Sequence, residues 1–458
     1  MLSNLLLSRA SHSRSERSRI AITSINTWWS LALGLAACIA TSGTANERRA
    51  MLDSAMASVT VDEIRDHAGV LAGDAFEGRE AGARGGRAAA GYLQEQLQQI
   101  SVAPGGPGGG YSQPFNGNMQ NLLAVIPGTD EQLSEEYVIV GAHYDHVGYG
   151  SRQTSYGPYG YIHNGADDNA SGVSALLEAC EALVAAGFQP RRSVLFALWD
   201  GEEKNLLGSR HWLSNPTVPI EQVRMLVNID MVGRMTDGRL QVAGVRTGVG
   251  MRKLFSSPQL PEGMHLDFSW EYKSNSDHWP FFERKIPAVY LHTGLHDDYH
   301  RPSDDVEKLN LAGVRLTSQY LVQVLMQLAD SDTTPTYRSE ARYENVAAQA
   351  VLEQPLSPLP RNAVRPRLGL SWRADAAEPQ SVFVTRVVPD SPAEHAGIVL
   401  NDRLLEFAGK PIDDRDALLV QISEALGSNA AALNFVVETQ GRIRHVRVNL
   451  KAADDPSL

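Results

Sequence analysis

Only two of the 458 residues are cysteine, Cys38 and Cys180, which argues against a disulfide-stapled scaffold and against a thiolate zinc site. Basic charge is also short. Lys and Arg number 41 against 53 Asp and Glu, a formal charge of −12, so no phosphate-neutralising surface is indicated and nucleic acid is not an expected partner. The apolar run Trp28 to Cys38 is too short for a transmembrane helix. What is present, 43% hydrophobic and 21% charged residues over 458 positions, is ordinary globular composition with room for one large core and one small one.

The first 46 residues read as a leader rather than as fold. Arg9, Arg14, Arg17 and Arg19 precede the short apolar run, the pattern of an export signal. Leu35-Ala36-Ala37-Cys38 resembles the bacterial lipoprotein processing box, which implies a lipid anchor at Cys38. The competing reading is cleavage after Gly43-Thr44-Ala45. Both export the chain, to the periplasm, to the membrane surface as a lipoprotein, or to the medium. Cys180 falls on a helical pattern and reads as a buried small apolar residue.

From Val61 the apolar spacing is helical, and Gly85 to Leu97 continues it. Ala103 to Gly110 is a loop by composition, and Asn121 to Ile126 reads as a strand ending at Pro127-Gly128. Four further apolar runs, Tyr137 to Ala142, Ser193 to Trp199, Met225 to Ile229 and Ala288 to Leu291, are four to seven residues long and do not alternate. Such runs are strands buried on both faces, hence an α/β fold with a mostly parallel central sheet sandwiched by helices.

Their ends carry the chemistry. His143 and Asp145 follow the first run, Asp200 to Glu203 the second and Asp230 the third. The fourth leads through His292 to Asp297, Asp298 and His300. Gly165-Ala166-Asp167-Asp168-Asn169 adds an acidic cluster at the start of a helix. Carboxyl ends of parallel strands face one crevice, so these groups can converge although they are far apart in sequence. Alone, each is an unremarkable cap or loop residue; four strand ends carrying them by accident is a weaker explanation. Glu202-Glu203 sharpens the point, because adjacent carboxylates repel unless a cation is close, and on a helical start they point about 100° apart. Imidazole with carboxylate suits zinc, with cobalt or manganese as substitutes. Asp145, on the same side of the strand as His143, is placed to orient an imidazole or a metal-bound group.

His143-Tyr144-Asp145, Gly165-Ala166-Asp167-Asp168-Asn169, Asp200-Gly201-Glu202-Glu203, Asn228-Ile229-Asp230-Met231 and Tyr299-His300 resemble, in order and spacing, the co-catalytic zinc exopeptidases, which include bacterial aminopeptidases, glutamate carboxypeptidases and glutaminyl cyclases. The likeness covers residues 60 to 330. It implies two zinc ions per chain sharing a hydroxide: His143 and Asp230 on one, Glu203 and His300 on the other, Asp168 bridging, and Glu202 as general base. Ser276-Asp277-His278 is similar to the segment that supports those ligands. The expected activity is release of N-terminal residues from peptides. A carboxypeptidase or glutaminyl cyclase on the same scaffold is the alternative, and a peptide-binding protein with a residual metal site is the alternative from another class. The loop Gly148 to Asn164 and the aromatics Trp270, Tyr272, Trp279, Phe281, Phe282 and Tyr299 could line a side-chain pocket or simply pack.

Beyond the helical Asn310 to Leu328, Asp330 to Pro366 is polar and proline-bearing, a linker with one short helix. Arg367-Leu368-Gly369-Leu370, Val382 to Val387, Ser391 to Ile398 and Asn401 to Ile412 then resemble a PDZ domain of the bacterial protease-associated type, over residues 363 to 452. The resemblance implies an extended C-terminal peptide added to a sheet edge, its carboxylate received at the Leu368-Gly369-Leu370 loop, beside a helix at Asp416 to Leu426. The competing reading is a module that packs on the catalytic one. The expected division is therefore a leader over 1–46, a zinc peptidase domain over 47–332, a linker over 333–362 and the PDZ-like domain over 363–452.

Overall fold

The computed structural model describes residues 46–359, 367–412, 414–428 and 430–450; the leader, with Cys38, lies outside them. A nine-stranded sheet organises the larger part: β1 (Ala103–Pro104), β2 (Ser112–Phe115), β3 (Met119–Ile126), β4 (Tyr137–His143), β5 (Ser193–Trp199), β6 (Val223–Ile229), β7 (Arg239–Ala243), β8 (His265–Asp267) and β9 (Ala288–His292). The order is β1-β3-β5-β4-β6-β9-β7-β8, with β2 pairing β3. The centre, β5-β4-β6-β9, is parallel. The flanks join it antiparallel, β3 to β5 and β7 to β9, and β8 pairs parallel with β7 at the edge, so the sheet is mixed, with its doubly buried centre parallel. All seven residues of β5 are buried.

Alternate residues of a strand point to opposite faces. On one face Leu123, Ile139, Leu195, Ala197 and Trp199 pack with Trp212 and Phe281, brought by the helices Leu207–Ser214 and His278–Glu283. Phe281 is therefore core rather than pocket lining. Trp199 also explains a glycine in the middle of a strand: a Cβ at Gly141 would stand 2.4 Å from its indole nitrogen. The helices Gly172–Ala185 and Leu311–Asp330 pack on each other and on β4 and β5. The helix Val61–Leu71, opened by the Thr60 side chain accepting from the Glu63 amide, packs on both of them. Among the described residues no helix is long and apolar enough to cross a membrane.

The smaller part is an antiparallel sheet of β10 (Leu370–Ala374), β11 (Val382–Val387), β12 (Arg403–Phe407), β13 (Lys410–Pro411), β14 (Ala432–Thr439) and β15 (Arg442–Asn449), ordered β10-β11-β12-β14-β15 with β13 on β12. Its own core includes Leu368, Val382, Leu404, Phe435 and Ile422, the last from the helix Arg415–Gly427. Both sheets belong to one compact unit. They are joined by backbone pairing of Gly250 with Ala377 and of Leu266 with Gln440. The polar stretch between them is not free chain. Arg338 and Ala341 are buried, the former because its guanidinium donates to Glu344 and to the Arg246 carbonyl.

Candidate metal centre

Four strand ends and one helix start converge. His143 closes β4, and its Nε2 lies 3.2 Å from Asp168 Oδ1 and 3.2 Å from Asp230 Oδ1. Asp168 sits in the tight turn Ala166–Ser171 that leads into the helix Gly172–Ala185. Its second oxygen is 3.1 Å from His300 Nε2, which is in turn 3.2 Å from Glu203 Oε2. Asp168 thus turns one carboxylate oxygen to each of two groups. Ligand atoms of His143, Glu202 and Asp230 all lie within 4.8 Å of one another, and so do those of His146, Asp168, Glu203 and His300. The five residues expected to hold metal are together.

His146 is a further member of the cluster, one to which the sequence assigns no role. Its Nδ1 is 2.8 Å from Glu203 Oε1 and 3.8 Å from Asp168 Oδ2. The signal was its place three residues after His143, on the same strand end. Asp145 lies behind His143, with Oδ1 accepting the Glu202 amide at 3.0 Å and standing 3.7 Å from His143 Nδ1. It touches the imidazole's rear and the backbone of Glu202 at once. Ser276 Oγ donates to Asp230 Oδ2 at 2.7 Å, and Asn228 donates to that same Oγ. Asp277 accepts instead from Ser209, and His278 faces the Lys273 carbonyl, so only Ser276 of that segment reaches a candidate ligand.

Two supports, Asp304 and Arg79, could not be read from the chain. Asp304 Oδ2 accepts the amides of both Asp167 and Asp168, at 2.9 and 3.1 Å, while Arg234 holds its other oxygen. Arg79, fully buried, donates to the carbonyls of Leu71, Tyr144, Asn164 and Gly165. Gly165 has φ 57°, and a Cβ there would meet the His146 ring at 2.5 Å. The loop from Gly148 to Asn164 is tied beside His300, whose carbonyl accepts from Ser155 Oγ and the Tyr156 amide. Tyr299 stacks on the His300 ring with centroids 4.0 Å apart.

The electrostatics of the cleft suit a cation. No Lys or Arg forms an ion pair with Asp168, Glu202, Glu203 or Asp230 among the described residues; every such contact is to an imidazole. Burial alone would lower His300, but Glu203 and Asp168 raise it to about 11. His143 is likewise lifted well above its ordinary value, Asp230 and Glu202 overcoming burial. Without metal the site needs protons on its imidazoles, which is the charge that divalent ions would replace. Glu202 goes the other way: desolvation, then Glu203, Asp230 and Asp277, push it well above the usual carboxylate range against the pull of His143. The donor set and the unpartnered His146 Nε2 and Asp145 Oδ2 fit a metal centre with its supporting shell.

Imidazoles and carboxylates gathered at the carboxyl end of a helix-flanked sheet define an α/β domain of the zinc exopeptidase type. Comparison with known proteins agrees: residues 121–325 match peptidase family M28 and residues 383–438 match the PDZ domain. It is 29% identical over 189 residues to leupeptin-inactivating enzyme 1 of Streptomyces exfoliatus, covering 41% of this chain and 38% of that one. It is 33% identical over 169 residues to leucine aminopeptidase 1 of Trichophyton rubrum, covering 34% and 42%. The chain therefore spans about two fifths of the length of these curated relatives. In fold it is similar to the LapA aminopeptidase of Legionella pneumophila, with a TM-score of 0.50 and 20% identity over 62% of this chain and 74% of that one.

Proposed function

We propose that this chain is an exported, zinc-dependent aminopeptidase with two metal ions per active site. The observation that carries the reading is Asp168, one oxygen toward His143 and the other toward His300, with Asp230 and Glu203 completing the two groups. His143, Asp168 and Asp230 would hold one ion, and Glu203, His300 and the same Asp168 the other, with His146 beside the second. Bound there, divalent ions would supply Lewis-acid polarisation of the scissile carbonyl and make water a better nucleophile near neutral pH.

The chain's own residues do the rest. Glu202 takes a proton from the attacking water as the C–O bond forms, and delivers it to the nitrogen as the C–N bond breaks and the amine leaves. Asp145, by accepting the Glu202 amide and backing His143, holds both in place. Asp304 fixes the backbone of Asp168. Peptides with a free amino terminus are the proposed substrates, in line with the names of the relatives above. For the PDZ domain, among the described residues β10 has one strand neighbour, β11, which supports addition of an extended peptide to its other edge. Export rests on the arginine-rich leader and lipidation on Cys38.

The test is one assay with three substrate classes given to the zinc-loaded protein: aminoacyl chromogenic amides, peptides ending in glutamate, and peptides beginning with glutamine. Cleavage of the first class is expected. Processing of the second or third class alone would transfer the reading to a carboxypeptidase or glutaminyl cyclase. Processing of none, with peptide binding that survives Glu202→Gln, would leave a binding protein.

A further inference from the structure

Where the helices Val61–Leu71 and Gly172–Ala185 pack on each other lies a second group with metal-binding chemistry. His67 on the helix Val61–Leu71 and Glu178 and Glu181 on Gly172–Ala185 offer ligand atoms all within 4.8 Å of one another. The two glutamates are three residues apart and share a helix face. His67 and Glu178 are buried, 8% and 2% exposed. None of the three belongs to the centre around Asp168.

Two independent details point to a ligand. Glu178 Oε2 accepts the Thr60 amide at 3.1 Å, but Oε1 is buried with no partner. Among the described residues no Lys or Arg pairs with Glu178 or Glu181; the charged groups that act on Glu178 are Glu63 and Glu181, both negative. A buried carboxylate in that position is costly unless something positive completes it. Burial, with Glu63 and Glu181 adding and the Thr60 amide opposing, pushes Glu178 up to about 8. The second detail is the orientation of His67. Its Nδ1 lies 2.7 Å from Tyr92 Oη, so Tyr92 fixes the ring from that side, and the tautomer that donates from Nδ1 leaves Nε2 as the ligand nitrogen. This is how a metal-bound imidazole is ordinarily oriented by a neighbour on its far nitrogen.

We propose that His67, Glu178 and Glu181 form a further site for a zinc-class divalent ion that clamps the helix Val61–Leu71 to the helix Gly172–Ala185. One imidazole nitrogen with two carboxylates and a position left for water is a zinc-class donor set; magnesium and calcium have less use for the imidazole. The ion would be structural. The second helix begins at Gly172, directly after the turn Ala166–Ser171 that carries Asp168, so fastening its middle turns steadies that turn.

The experiment is a metal count on the full chain, equilibrated with buffered zinc and, separately, cobalt. The parent is compared with Glu178→Gln, Glu181→Gln and, for the cleft, Asp168→Asn. Each glutamate variant is expected to hold one equivalent less than the parent, whatever the parent's total. Asp168→Asn is expected to retain the ion bound at His67, so the result does not depend on how many ions the cleft takes. The zinc-dependent rise in melting temperature should shrink in Glu178→Gln by roughly 5 °C, and Tyr92→Phe should weaken this one site by roughly 10- to 100-fold. Equal metal content in the parent and both glutamate variants overturns the proposal. So does a Glu178→Gln protein that is more stable than the parent without metal and loses no ion, since Glu178 would then be a protonated cap for Thr60. Glu181 is half-buried, so its variant reports even if Glu178→Gln fails to fold.

Discussion

The cleft and the junction between the two sheets bury acidic groups to similar depth and settle the charge in opposite ways. At the junction every carboxylate has its partner within the chain. Asp375 is held by Arg246 and Arg403, Glu438 by Arg252, and Glu344 by Arg246 and Arg338. Glu378 caps the Arg252 and Lys253 amides. In the cleft the ion-pair partners of Asp168, Glu203 and Asp230 are imidazoles, and among the described residues Glu202 has no ion pair at all. Charge that the fold neutralises internally fastens elements together, whereas charge left for an outside cation marks where chemistry can occur.

The largest effect should come from the residue whose charge the cleft leaves most exposed to reaction. Glu202→Gln should lower kcat by roughly 10²- to 10⁴-fold with metal content and melting temperature held, read by steady-state kinetics beside a metal assay. Retained turnover would remove Glu202 from the proton path and the reading with it. The same substitution logic at the junction predicts a different loss. Arg252→Met leaves Glu438, 1% exposed at its side chain, without its guanidinium, and should cost about 3 kcal/mol of stability in a urea titration while the metal count stays unchanged. If metal content fell with it, the two regions would not be independent.

Smaller still is the effect expected one shell out from the cleft. Ser276→Ala removes the donor to Asp230 Oδ2 and should weaken metal binding by roughly tenfold, the lower end of what such outer partners contribute. Competition with a chelator measures it directly. Unchanged affinity would make Ser276 a packing residue.

How far the two regions were legible differs for the same reason. The strands of the cleft announce themselves because apolar runs such as Ser193 to Trp199 end in reactive groups, and strand geometry sends those ends to one side. His143, Asp168, Glu203, Asp230 and His300 could be named from that pattern and the resemblance it led to. Asp304 and Arg79 could not, because they act on backbone amides and carbonyls, which leave no mark in sequence. The junction was illegible: Arg252 and Glu438 lie 186 residues apart and Arg246 and Asp375 129, and single charges in loops and short helices carry no period. For the same reason Asp330 to Pro366 reads as a linker by composition, although Arg338 and Glu344 tie part of it down. The parallel centre of the sheet was visible in its unbroken apolar runs. The antiparallel flanks were not, since strand order is a long-range property.

Acid offers the finest separation of the two regions. Burial would raise Asp375, but Arg246 and Arg403 hold it at about 2; Glu344 is held at about 2 in the same way by Arg246 and Arg338. A carboxylate depressed in the folded state contributes stability that is complete above its unfolded value, 3.8 for Asp and 4.5 for Glu, and that disappears as pH falls through the folded value. Arg246→Met takes one cation from each of them, but Arg403 and Arg338 remain, so the cost should be only about 1–2 kcal/mol near pH 7. That difference from the parent should stay flat from pH 8 to 5 and close between pH 4 and 2, as both carboxylates protonate. Urea midpoints measured across this range, with parent and variant both freed of metal so that loss of the ions in acid does not enter, test it. A gap that persists unchanged at pH 2 would mean that Arg246 acts by packing on Trp270, whose ring its guanidinium covers at 3.8 Å, and the junction would then be fastened by apolar contact rather than by matched charge.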